Sequence, residues 1–348
     1  MPKFGIAPYK PDTRIWDGVK DSLSQIFYEL LFAGMAKIIN KDLKIEYQIR
    51  ESSDYESDER KIVKALSSGK IQYIDGAFYG SFDASISRIL LKLGANYDSK
   101  QKIYTIADNL ISPAIKRASN IYLKKCEKAN KDLKIFVDRT LKNLDKMISK
   151  ITPDYLGAHQ VISKGVSDFD EHARPALSSL SIPFDKPTPE DINKMALEYT
   201  ENMQKWIKKF SKEEIKELRR IIEDNSRNGY RSERLIADIQ SRYDVSESKA
   251  EFLARQETAL FMSKYAETKY LDANIKRYIW RTAGDNDVRP GHKELNGRIF
   301  EFKKKAPAKY MSTNQPENPG EDFNCRCVAV PLIETAETVK IKSGEKKI

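Results

Sequence analysis

Cysteine and histidine are scarce in this sequence, three of each among 348 residues. The cysteines are Cys126, Cys325 and Cys327. An odd number at these spacings is not a disulfide framework, and a bridge between Cys325 and Cys327 would close a very tight, strained loop. A chain that folds in a reducing cytosol is therefore expected. Long apolar runs are also missing. A bilayer crossing needs roughly 18–20 apolar residues. The nearest approach, Ile26–Ile39, is interrupted by Glu29 and Lys37 and reads as a buried helix. No membrane contact is expected. The opening Met1-Pro2-Lys3-Phe4 lacks the apolar stretch and small-residue cleavage site of a secretory signal. There is no phosphate-cradling glycine loop, nucleophile elbow or paired-histidine metal helix. With so few histidines, proton-transfer catalysis has few obvious carriers, and the expectation is a protein that is not an enzyme.

What the sequence does have is charge and helical periodicity. Charged residues make up 32% and the formal net charge is +10, which favours an anionic neighbour such as nucleic acid or an acidic protein face. The bland reading, solvated lysine-rich helix faces, is the stronger one. Ile15, Val19, Leu23, Ile26 and Leu30 predict a helix from about Thr13 to Asn40. A polar acidic loop or helix start is expected at Glu51–Arg60. A hairpin is expected over Ile71–Gly80, around Asp75-Gly76. Ala84–Leu93 reads as a helix stopped by Gly94. Pro113 to about Lys150 reads as one long helix or two stacked ones, where Lys124, Lys125, Lys128 and Lys131 are candidates for DNA contact. Cys126, within it, reads as structural.

Prolines 175, 183, 187 and 189 mark a linker. The expected division is a mainly helical domain with a short hairpin over 1–172, a Pro/Ser-rich linker over 173–189, a second domain over 190–336, and a basic disordered tail over 337–348. In the second domain Thr188-Pro189-Glu190-Asp191 starts a helix. Ser211–Glu214 looks like a capping box opening another, which ends near Asn228-Gly229. A short third helix from Ser232 and a fourth over about Glu247–Asp272 follow. A DNA-reading helix-turn-helix is disfavoured, because little beyond Arg234 and Arg242 could reach bases. Tyr278–Arg281 is a strand, Leu295–Arg298 a hairpin turn, and Cys325–Ile333 an edge strand because of Pro331. The fold class is α+β: helices first, then helices packed on a small antiparallel sheet.

Three groups of residues could carry chemistry. Glu257 lies on the apolar stripe of Leu253, Leu260 and Phe261, and a buried carboxylate must be partnered. The expected partners are Arg326, Arg281 or Arg289 from the sheet, in an ion pair joining helix to sheet. A general acid or base role for Glu257 is the weaker reading. His292, Cys325 and Cys327 could hold zinc if a fourth group such as Asp285, Asp287 or Asp322 joined them. The usual two-residue spacing between cysteines is missing, so reduced, partly buried cysteines and no cofactor are favoured. Asp285, Asp287, Glu321 and Asp322 read as a solvated acidic rim rather than a hard-cation site.

Taken in order, Ala254-Arg255-Gln256-Glu257-Thr258, Trp280, Asp285–Asp287, His292-Lys293-Glu294-Leu295-Asn296-Gly297 and Asn324-Cys325-Arg326-Cys327 resemble the Mu F-like head morphogenesis family of tailed phages, over roughly Ile222–Ile333. Gln256 replaces the threonine usual in that family. Arg289 and His292 stand where many members carry a cysteine pair. The motif residues are Arg255, Glu257, Trp280, Asp287, Leu295, Gly297 and Arg326. The resemblance implies a minor head protein, located in the virion head and assembled in the host cytoplasm. Its implied partners are the portal protein, scaffold or major capsid protein, and double-stranded DNA during packaging. The alternative it leaves open is an ADP-ribosyltransferase-like or other toxin-type enzyme, in which Arg255 and Glu257 serve a nucleotide-sugar transfer site.

Overall fold

The computed structural model describes residues 13–43, 57–179 and 181–333. The expected disordered tail at 337–348, and most of the polar stretch expected at 51–60, lie outside those residues. The class is α+β, with helices dominant, as the periodicity predicted. The helices are α1 (Asp17–Phe27), α2 (Ala33–Asp42), α3 (Asp58–Ser67), α4 (Ala84–Lys92), α5 (Pro113–Ile148), α6 (Pro153–Leu156), α7 (Ala158–Ser179), α8 (Pro189–Arg227), α9 (Ser232–Asp272) and α10 (Pro290–Leu295). The strands are β1 (Ile71–Ile74), β2 (Ala77–Gly80), β3 (Asn96–Asp98), β4 (Ile103–Thr105), β5 (Arg277–Arg281), β6 (Ile299–Glu301) and β7 (Val328–Leu332).

The chain divides into two compact units, each assembled from separate stretches. One takes residues 1–25, 149–206 and 248–348; the other takes 26–148 and 207–247. Both ends of the expected linker, 173 and 189, fall inside the first unit.

In the second unit the predicted hairpin is present. Asp75 and Gly76 both have positive φ (48° and 80°), the twist that suits a two-residue connection between right-handed strands. The hairpin extends into a four-stranded antiparallel sheet of order β1-β2-β4-β3. Its core is Ile62, Leu66, Ile71, Phe78, Ile89 and Leu90 with neighbours. α5 is one uninterrupted helix of 36 residues. Buried Asn130 on it donates to Ile222 O at 3.0 Å and accepts from Asn225 at 3.1 Å, so its amide is satisfied against α8. The helical run Arg14–Asp42 is long and apolar enough to cross a membrane by length and composition. That corrects the expectation that no segment qualifies. Leu30, Leu31, Phe32, Met35 and Ile39, all from this run, are buried.

The long helices correct the predicted breaks. α8 starts where expected: Thr188 Oγ accepts from Asp191 N at 3.1 Å and Thr188 N donates back to the Asp191 carboxylate at 2.8 Å. It then runs straight through Ser211, which is fully buried inside the helix. Glu214 is diverted from capping, because its carboxylate binds Arg242 on α9. α9 likewise continues for 41 residues through 247 with no third-to-fourth helix break. Two short helices of a DNA-reading motif are absent among the described residues. Gly229, with φ +78°, makes the one turn between these helices.

In the first unit, α7 runs on to Ser179 with Pro175 inside it, so the helix forgoes the bond that this position would otherwise donate one turn back. Phe169 on α7 is fully buried against Tyr265 and Tyr270 of α9, at centroid distances of 5.4 and 5.5 Å. The segment after α7 is fastened rather than free. Arg174 donates to Phe184 O at 3.1 Å and Lys269 to Asp185 O at 2.8 Å. The second sheet has order β6-β5-β7, all antiparallel, so Pro331 does lie on an edge strand. The expected hairpin at Leu295–Arg298 is instead a helix-to-strand turn from α10 into β6. Arg298 N bonds Leu295 O at 2.9 Å across it, and Gly297 has φ +81°, as the third position of a type II turn requires.

Candidate functional site: the junction of α9, the second sheet and the Ser312–Cys327 loop

α9 passes beside the loop that returns the chain to β7, and successive helical residues point about 100° apart. That rotation decides which motif residue meets the loop. Gln256 does: its Oε1 accepts from Asn324 N, and its Nε2 faces Asp322 O at 3.5 Å. Further along the helix, Ser263 Oγ donates to Pro319 O at 2.7 Å. Gly320, with φ +91°, passes so close that an added Cβ would lie 3.2 Å from Ser263. The loop is tied to the sheet by buried Asn318, which donates to Phe302 O at 3.2 Å and accepts from Tyr278 Oη at 2.9 Å.

Glu257 is turned away from all of this. It is buried at 4% exposure, and burial pushes its carboxyl pKa up; a hydrogen bond from the Trp206 indole on α8 and the charge of Lys264 pull partly the other way. The expected ion pair with Arg326, Arg281 or Arg289 is not formed. Arg326 grips Asp285 through both terminal nitrogens, at 2.6 and 2.9 Å, with Asp287 at 3.5 Å. Arg289 donates to Phe323 O at 2.6 Å and lies 3.5 Å from Asp322. Arg281 is exposed. The helix-to-sheet joint is therefore built from the neutral amide of Gln256, and the carboxylate next to it belongs to the α8–α9 contact. The acidic residues do not gather into a cation site either. Asp285 and Asp287 face Arg326, Glu321 faces Lys305 at 2.8 Å, and Asp322 faces Arg289.

The other motif residues are scaffold. Trp280 on β5 is fully buried, edge-on to His292 at 5.3 Å and to Phe300 at 6.2 Å. Leu295 is fully buried at the end of α10. Gly297 N donates to Trp280 O at 2.8 Å. Arg255 lines a cavity of about 420 Å³ together with Met262, Tyr270, Phe302 and Arg326, and its buried Nε has no hydrogen-bond partner. Glu257 lines a different cavity, with Tyr199 and Lys264. The two residues of the alternative transfer site thus do not converge.

His292, Cys325 and Cys327 do converge. All three are buried, and their ligand atoms lie within 4.8 Å of one another. Both sulfurs stand 3.6 Å from His292 Nδ1. On the other side of the ring, Nε2 lies 3.0 Å from an Asp322 carboxylate oxygen. Asp322 is fully buried and accepts from Ser312 N at 3.0 Å, from Ser312 Oγ and from Phe323 N at 2.8 Å. Burial pushes its pKa up, but those bonds and Arg289 win, holding it below the usual carboxylate range. Burial likewise works against the charged imidazole, and Cys325 and Asp322 beside it bring the His292 pKa above normal. The hydrogen bond from Cys327, with help from His292, holds the Cys325 thiol well below its ordinary range. Its partner Cys327 is pushed up by that same bond and by burial.

The remaining sequence candidates are the α5 lysines. Lys124, Lys125, Lys128 and Lys131 are all exposed, but Lys128 is engaged by Asp42 at 3.1 Å and Asp132 at 3.7 Å. Sequence reasoning missed Gln256 as the joint, Trp206 as the partner of Glu257, and Asn318 as the loop clamp. Only Asn318 left a signal, since an asparagine before Pro-Gly in a turn-rich loop is a local hydrogen-bonding residue.

Residues 216–330 match the family described as Phage Mu protein F like protein, about a third of the chain. An uncharacterized protein of Haemophilus influenzae is 32% identical over 108 residues, which is 30% of this chain and 22% of that protein. The match therefore spans less than a quarter of that relative. No solved structure matches the chain.

Proposed function

We propose that this chain is a minor head protein of a tailed phage, acting in head assembly at the portal vertex. The observation that carries the reading is the family match over 216–330. It spans most of the sheet, α10, all of α9 and the last twelve residues of α8, and the motif residues there act as scaffold: Trp280 and Leu295 in the core, Gly297 in a turn, and Arg326 in a bidentate ion pair. A domain built this way presents a rigid surface and needs no chemical step. Co-expression with the portal protein of the same phage tests it. The chain should co-purify with portal and be found by mass spectrometry in mature heads. Its absence from both would overturn the assignment.

Contact with packaged DNA is the finer part of the proposal. It is supported by the exposed Lys124, Lys125 and Lys131 on α5 and by the net charge of +10. An enzyme of the transferase type is disfavoured by the separation of Arg255 and Glu257 into different cavities. An NAD-hydrolysis assay on the purified chain checks that point, and turnover lost in Glu257→Gln would reverse the judgement.

A further inference from the structure

We propose that His292, Cys325 and Cys327 form a zinc(II) site with three protein ligands. The inference is independent of the role in head assembly, since it rests only on the side chains gathered between α10 and the lead-in to β7.

Geometry is the first argument. With Zn–S near 2.3 Å and Zn–N near 2.05 Å, a tetrahedral centre sets nitrogen and sulfur about 3.6 Å apart. Both observed separations from His292 Nδ1 are 3.6 Å. A hydrogen-bonded cluster explains this less well. One ring nitrogen offers a single lone pair or a single N–H, and it cannot serve two equidistant sulfurs. An ion between the three atoms uses all of them at once.

The surroundings supply the second argument. The Asp322 carboxylate lies 3.0 Å from Nε2 without hydrogen-bond geometry, and its negative charge favours the ring proton on Nε2, with the Nδ1 lone pair facing the sulfurs. A carboxylate behind a ligating imidazole is the arrangement that fixes ring tautomer and orientation in zinc proteins. Asp322 is itself fixed, by Ser312, the Phe323 amide and Arg289, so it acts as an anchor rather than a fourth ligand.

The one-residue spacing of the cysteines, which argued against zinc in the sequence, fits an extended chain. Side chains at i and i+2 of an extended run lie on one side. Cys325 and Cys327 are buried while Arg326 between them is exposed, and its guanidinium takes Asp285 on the outside. Both cysteines also line the 420 Å³ cavity, so water or an exogenous donor can complete the tetrahedron from that side. Two thiolates and an imidazole select a soft or borderline ion over magnesium or calcium. Binding replaces two protons of the Cys–Cys–His cluster, which leave to solvent, with one Zn²⁺. The charge of the buried site is then unchanged, and affinity falls as pH drops.

The test uses the full chain, purified under reducing conditions with zinc present and freed of loose metal by gel filtration. Elemental analysis should find one zinc per chain. Cys325→Ser and Cys327→Ser should each lose it, while Cys126→Ser, at the buried thiol of the other unit, should keep it. Because a ligand variant can fail to fold, cobalt(II) titration of metal-free wild-type protein gives a second readout. One equivalent should produce the thiolate charge-transfer and tetrahedral ligand-field bands. Folded wild-type protein without zinc and without those bands overturns the proposal, as does zinc retained in both cysteine variants. A Cys325–Cys327 disulfide in metal-free protein as isolated also overturns it.

Discussion

Glu257 shows how one buried side chain sets a measurable pH dependence. Its folded-state pKa is raised by burial, against the pull of Trp206 and Lys264, so the folded protein holds this proton to higher pH than the unfolded chain. The stability contributed by the group is fully present below the unfolded carboxyl range and is lost as pH rises through the folded value. Glu257→Gln keeps an acceptor for the Trp206 indole and removes the charge. Its melting temperature should therefore exceed that of the wild type once pH rises above the unfolded carboxyl range, and converge with it below about pH 4. At this domain size the gap amounts to about 2–4 °C for each kcal/mol. A melting temperature lower than wild type at neutral pH would restore the ion-pair reading. The sequence placed Glu257 in the core correctly, because the stripe of Leu253, Leu260 and Phe261 is local information. It could not choose the partner, since Trp206 and Arg326 lie at sequence separations that periodicity does not address.

At the scale of elements, contacts between helices and strands depend on single small or polar residues. Gly34 on α2 lies against Phe136 on α5 so closely that a Cβ would fall 2.1 Å from the ring. Gly34→Ala should destabilise the protein by about 1–3 kcal/mol through overpacking. Adding Phe136→Leu should recover part of that loss in chemical denaturation. Gln72 on β1 is a second hinge of this kind. Its Oε1 accepts from Ser232 N at 3.0 Å at the start of α9, and its Nε2 donates to Tyr230 O at 3.1 Å. Gln72→Leu strands both backbone groups and should cost roughly 1–3 kcal/mol, with faster amide exchange at Ser232 as the site-specific readout. Element starts such as Thr188 and turns such as Asp75-Gly76 were legible because their chemistry is local. The false break at Ser211–Glu214 arose because the capping pattern was real but Arg242, 28 residues away, claimed the glutamate.

At the scale of the whole molecule the net charge of +10 makes a quantitative statement about DNA. If the α5 face touches phosphates, the apparent affinity for duplex DNA should fall steeply with salt. Replacing Lys124, Lys125 and Lys131 with glutamine should then flatten the log–log slope by about 0.9 per lost phosphate contact. Binding that ignores ionic strength would remove DNA from the proposed role.

By itself the sequence determined the α+β class, most helix and hairpin positions, and the likeness of residues 216–330 to a phage family, because periodicity, turn chemistry and ordered motifs are properties of neighbouring residues. Only the tertiary structure decided that Gln256 rather than Glu257 meets the loop, that 149–206 folds with the C-terminal sheet, and that His292 stands 3.6 Å from both Cys325 and Cys327. Each of these depends on the rotation of a helix or the return of a distant loop, and packing across the whole unit sets both.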